Sequence, residues 1–229
     1  MFNQGDSDGA LDEFNKAIRI DPDFFMAYNN RGVVWRNKEE LEHALDDFNK
    51  ALEIVKFSEV AQTNRGIVWN MKGEIDKALG DFDASIDINP SYATARTCRG
   101  EIQYRMGRYS EAIKEYEMAL EIDRFLYEVH NNLAWILATC PEEEFLDAAR
   151  AVELARKAVH HNRNHFNLST LASAYAEGGK FGEAIEVQKE AKILADKIGD
   201  KEIITLYADM LNSFENHKPW RDKSQITPT

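Results

Sequence analysis

A chain of 229 residues is long enough to bury a substantial core. Its 12 glycines and 5 prolines are too few for the dense turns of an all-β sandwich or barrel, and 44% hydrophobic with 30% charged residues fits a folded soluble chain. Forty acidic against 28 basic residues leave a net charge of −12, a surface that repels phosphate backbones and anionic lipids, so neither nucleic acid nor a membrane is an expected partner.

Cys98 and Cys140 form no disulfide framework and have no companion at metal-ligand spacing, so both read as small apolar side chains. No apolar run reaches the length of a membrane span, and Met1 to Asp6 has neither the basic nor the apolar part of a secretion signal; a cytoplasmic protein is expected.

Self-comparison organises the rest. Tyr28-Asn29-Asn30-Arg31-Gly32-Val33-Val34-Trp35 overlays Gln62-Thr63-Asn64-Arg65-Gly66-Ile67-Val68-Trp69 at an offset of 34, and Arg99-Gly100 follows at the same interval. Downstream, Ala10-Phe14-Ala17, Ala44-Phe48-Ala51, Ala78-Phe82-Ser85 and Ala112-Tyr116-Ala119 hold the same phase. Spacings of four and three put each trio on one helical stripe. In chain order, residues 1–24 carry a turn and one helix, whose face (Phe2, Leu11, Phe14, Ile18) lacks an upstream neighbour. Helix pairs then fill 25–58, 59–92 and 93–126. Gly73 and Gly107 stand between paired helices, and Gly5 holds the matching place in the first, partial unit. Lys38-Glu39-Glu40 breaks that rule, so its turn is expected to be strained or wound differently. Unit 127–164 carries an insertion, Cys140 to Leu146, in which Pro141 stops one helix and Asp147 caps the next. Unit 165–196 is regular, and 200–214 forms a capping helix with Ile203, Tyr207, Met210 and Phe214 on one face. Residues 215–229 are a tail, distinguished by Lys218-Pro219-Trp220-Arg221-Asp222 and expected to be loose at its end.

A period of 34, glycine in the first helix and Ala…Phe/Tyr…Ala in the second resembles the tetratricopeptide repeat (TPR) family. Asn132 to Pro141, followed by Ala151-Val152-Glu153-Leu154-Ala155, is similar to bacterial TPR proteins with a loop in one unit. The resemblance implies an all-α fold: a right-handed α-solenoid of stacked antiparallel helix pairs over residues 1–214, whose first helices line a concave wall. On and beside that wall it places Asn29, Asn30, Val33, Arg36, Thr63, Asn64, Ile67, Asn70, Thr97, Glu101, Tyr104, Asn131, Asn132 and Trp135 as candidate peptide-binding residues. Asn30, Asn64 and Asn132 form a broken amide row of the kind family members use to hold an extended chain. The lysine-based clamp by which some members hold chaperone tails is missing here.

One correlation is internal to the chain. Arg31, Arg65 and Arg99 occur together with Asp47, Asp81 and Glu115, whereas the fifth and sixth units have Leu133 with Leu154 and Leu171 with Val187. Charge accompanies charge, so an ion pair bridging the two helices of a unit is expected, exchangeable for an apolar contact. The phosphate-loop, dinucleotide and zinc-protease motifs are missing. His160, His161 and His165 cluster at a helix end that Asn162-Arg163-Asn164 terminates, and read as solvated side chains, not metal ligands. The sequence therefore points to a noncatalytic scaffold without cofactor or metal, gripping a peptide or helix of another protein. The alternative is a homo-oligomer stacking through the uncovered first helix.

Overall fold

A computed structural model describes residues 4–222. Phe2, expected on an uncovered face, lies outside the described residues, as do 223–229 at the end of the tail. Among the described residues there are twelve α-helices and no strand: α1 Gln4–Ile20, α2 Phe25–Asn37, α3 Leu41–Ile54, α4 Glu59–Met71, α5 Ile75–Ile88, α6 Ala93–Arg105, α7 Tyr109–Ile122, α8 Tyr127–Thr139, α9 Ala148–His161, α10 His165–Glu177, α11 Phe181–Ile198 and α12 Lys201–Glu215. The α1 helix begins early enough to contain Gly5, which is therefore helical and not a turn residue. No helix among the described residues is long and apolar enough to cross a membrane. Contacts gather the chain into two compact units that part between Arg99 and Gly100, inside α6.

In the first unit each helix packs on the next, from α1 through α5. The small residues explain how closely they approach. A Cβ added at Gly32 would lie 2.7 Å from the Phe48 ring, and one at Gly66 equally close to Phe82. Both rings are fully buried, as are Ala44 and Ala78 one turn earlier on the same stripes. The aromatic ring thus occupies the space that a side chain on the facing helix would need.

Outside the fifth unit, turns between paired helices use one backbone geometry. Gly73, Gly107 and Gly179 have φ of 77°, 72° and 73°. Glu39 has φ 62°, so the turn expected to be wound differently is wound the same way. Its hydrogen bonds match as well: Glu39 N–H donates to Arg36 C=O and Glu40 N–H to Trp35 C=O, as Gly73 and Glu74 do to Asn70 and Trp69. The left-handed region costs a residue with a Cβ about 1–2 kcal/mol. Glu39→Gly is therefore expected to raise stability by about 1 kcal/mol in a urea titration, and an unchanged or lower midpoint would refute the strain.

In the second unit α7 packs on α8, α8 on α9, and so on to α12. The α8 helix stops at Thr139, two residues before Pro141. The insertion then makes a short 3-10 turn, Glu143–Phe145, whose Phe145 ring lies 5.9 Å from that of Tyr109. The Asp147 carboxylate accepts from Arg150 N–H at 3.0 Å and so caps α9. Gly199, at φ 81°, ends α11, and Asp200 caps α12 through Glu202 and Ile203 N–H. Tyr207, Met210 and Phe214 of α12 are buried, which makes this helix a lid over α11. His165 is not solvated: it is buried, with Nδ1 3.0 Å from the Tyr207 hydroxyl, and burial lowers its pKa. His160 and His161 are exposed, and His161 stacks on Tyr127.

Candidate functional site

The repeated arginines hold helices together. Arg31 donates from Nε and Nη2 to both oxygens of Asp47, at 2.8 and 2.6 Å, and Arg65 does the same to Asp81 at 2.8 and 2.7 Å. Each keeps Nη1 for the second helix of the preceding unit: Arg31 to Asn15 Oδ1 at 2.6 Å and Arg65 to Asn49 Oδ1 at 2.8 Å. Arg99 reaches Asp83 in the same register at 2.5 Å. One guanidinium thus ties three helices. Burial pushes the Asp47 carboxyl upward against the pull of Arg31, so the attraction is largely offset by desolvation.

In the first unit the candidate residues fare unevenly. Thr63, expected on the wall, is buried instead, with its hydroxyl donating to Ser85 on α5 at 2.8 Å. Asn29 is buried too. The amides bond one another sideways: Asn29 Nδ2 donates to Asn30 Oδ1 at 3.3 Å, Asn64 Nδ2 to Asn29 Oδ1 at 3.1 Å, and Arg36 Nη1 to Asn64 Oδ1 at 3.3 Å. Both faces of the Asn64 amide are engaged, so the amide row here serves as a cross-tie between α2 and α4. Val33 and Ile67 remain half-exposed, as does Asn70. Asn30 and Val33 line a cavity of about 300 Å3 with Ala10, Phe14 and Val34.

The second unit is where the candidates converge. Glu101, Tyr104, Asn131, Asn132 and Trp135, from α6 and α8, line one cavity of about 240 Å3. A neighbouring cavity of about 190 Å3 shares Asn131 and Trp135 and is also lined by Phe166, Thr170 and Leu206. Asn131 Oδ1 is buried with no hydrogen-bond partner among the described residues. Thr97 lies outside these cavities, its hydroxyl donating to Ala93 C=O within its own helix at 3.1 Å.

The sequence did not foresee the role of the tail. After α12, Ser213 accepts Lys218 N–H and His217 takes φ 56°, which turns the chain back over the unit. Arg221 Nη1 donates to Glu177 at the end of α10 at 2.6 Å, and Asp222 N–H donates to Thr139 C=O at the end of α8 at 2.8 Å. The buried Asp222 carboxylate accepts from the Tyr104 hydroxyl and, at 2.8 Å, from Trp135 Nε1, which also donates to the Tyr104 oxygen at 2.8 Å. Burial, then the charge of Asp222, pushes Tyr104 well above the usual phenol pKa, so it stays protonated and donating. Lys218-Pro219-Trp220-Arg221-Asp222 stood out in the sequence, but its seat, from 44 to 118 residues upstream, has no periodic signal.

Among curated proteins no sequence matches this one. Solved structures do. The crystal structure of YrrB, described as a TPR protein with an unusual peptide-binding site, aligns with TM-score 0.62 at 19% identity over 86% of this chain and 98% of that one. A tetratricopeptide repeat protein from Parabacteroides merdae gives 0.62 at 19% over 93% and 88%. Yeast Tom70 gives 0.67 at 20% over 90% of this chain, which spans 43% of its length. Family models described as TPR repeat and tetratricopeptide repeat match residues 1–38 and 93–125. With the helix pairs of 34-residue period and their glycine–aromatic seams, these matches show tetratricopeptide repeats at residues 1–38 and 93–125 and a TPR-like all-helical fold.

Proposed function

We propose that the protein is a noncatalytic interaction scaffold whose first helices hold an extended peptide or a helix of another protein. Repeat proteins of this family are in general scaffolds, and a likeness to YrrB, with its peptide-binding site, agrees with that role. The observation that carries the reading is the meeting of Glu101, Tyr104, Asn131, Asn132 and Trp135 at one cavity, with an unpaired buried amide oxygen among them. The Asn132 amide would bond a peptide group, and the Trp135 and Tyr104 rings would bury apolar surface. In the first unit, Val33 and Ile67 offer smaller apolar anchors, with Arg36 and Asn70 beside them.

A second reading, self-association, is favoured by the apolar cavity between α1 and α2, where Ala10, Phe14, Val33 and Val34 would accept a helix from another copy. Affinity capture with identification of the bound proteins separates the two. The folded Ile67→Ala/Trp135→Ala protein should lose its captured partners at least tenfold relative to wild type; undiminished capture defeats the groove reading, and concentration-dependent dimers in light scattering with nothing else captured favour the second.

A further inference from the structure

The tail that occupies the second unit also states what that unit recognises. Asp222 is held by the Tyr104 hydroxyl and Trp135 Nε1 on its carboxylate, and by the Thr139 carbonyl on its N–H. Its neighbour Arg221 meets Glu177 at 2.6 Å, with the Glu177 side chain only 14% exposed. Three helix C-termini therefore present, among other contacts, an acceptor carbonyl, an acidic side chain and two neutral donors to this Arg-Asp pair. The parts suit their places. Helix C-termini repel anions, so a carboxylate bound there needs directed donors such as a phenol and an indole, whereas the guanidinium of Arg221 is favoured by the same helix ends. A backbone donor–acceptor contact beside two side-chain contacts is how an extended segment is read by register.

We infer that this cradle is a binding subsite for an extended partner segment carrying an arginine followed by an aspartate, and that Arg221 and Asp222 occupy it in cis as a competing copy of that segment. This rests on the peptide-binding reading above and adds a ligand class to it. The cis occupant accounts for the overlap between the tail and two of the anchors expected for a guest, Tyr104 and Trp135. A segment on the same chain enjoys a high effective concentration, so a partner must bring further contacts to displace it. The two cavities that flank Trp135 are where such contacts would be made.

The test uses the full chain and a fluorescent Lys-Pro-Trp-Arg-Asp peptide with blocked ends, followed by anisotropy. Asp222→Ala should bind it at least tenfold more tightly than wild type. A peptide with alanine for aspartate should lose that binding tenfold or more, and so should the Asp222→Ala/Trp135→Phe protein, which keeps the ring and loses the N–H. Circular dichroism confirms the fold of each, and Asp222→Ala/Tyr104→Phe is the second receptor variant. Equal binding to wild type and Asp222→Ala, no binding to either, or indifference to the peptide's aspartate overturns the proposal. Wild-type dimers that disappear on Asp222→Ala would assign the cradle to a second copy's tail and overturn the partner segment. Should the Ile67→Ala/Trp135→Ala protein still capture its partners, the groove reading and the partner segment fail together, since Trp135 belongs to both; should capture depend on the groove while the peptide does not bind, the cradle fails alone.

Discussion

Gly66→Val should lower the stability of the protein by about 2–3 kcal/mol, read as a fall in urea midpoint with little change in slope. The first atom of the new side chain would stand 2.7 Å from Phe82 Cε1 and 3.2 Å from Asp81 Cβ. Phe82 is completely buried and has no solvent to retreat into, so α4 and α5 must separate. Helix propensity works the other way, since valine is better than glycine inside a helix by a few tenths of a kcal/mol, and overpacking at roughly 1–3 kcal/mol or more outweighs it. Gly80 provides the contrast: it is helical with nothing within 4 Å of an added Cβ, so Gly80→Ala should stabilise by up to about 1 kcal/mol. Equal midpoints for Gly66→Val and wild type would remove close approach as the reason for glycine in the first helix.

Asp81→Ala should cost about 2–3 kcal/mol. It strands the Arg65 guanidinium, which loses two charge-assisted bonds and keeps Asn49 and Gln62. Removing one partner from a fully buried pair costs about 3–5 kcal/mol; here the Arg65 side chain is 24% exposed, which lets water soften the loss. Arg65→Leu/Asp81→Leu should recover most of it, to within about 1 kcal/mol of wild type. The chain already uses that solution, with Leu133 and Leu154 both buried in the fifth unit. A double-mutant cycle in thermal or urea unfolding measures the coupling, and a double variant no better than the single one would refute the exchange.

The helices were legible because they repeat: an offset of 34 fixes glycine against aromatic at Gly32/Phe48, Gly66/Phe82 and Gly100/Tyr116, and those contacts are local. Glu39 shows the limit of reading residue types one at a time. Its side chain argued against a left-handed turn, yet packing of α2 on α3 imposes the same turn as in the glycine-bearing copies. The candidate site was half legible. Helical spacing groups residues on faces but leaves the direction of each face to packing, and Thr63 turned inward to Ser85 for that reason. Asn64 was expected to hold a guest, but an amide bonds sideways as well as outward, and here it does. Asp222 belongs to no repeat, and only folding brings it to Tyr104 and Trp135.

The arginines that reach both forward and back leave one more trace. Since Arg31 and Arg65 each grip the acid ahead and the asparagine behind, a hairpin in the first unit cannot peel away without releasing its neighbour's fastening too. The coupling between adjacent rungs is written into the same side chain that closes each rung. Fraying there should propagate as a block, so the unit would present a partner with a rigid ruler and not a string of independently opening clasps.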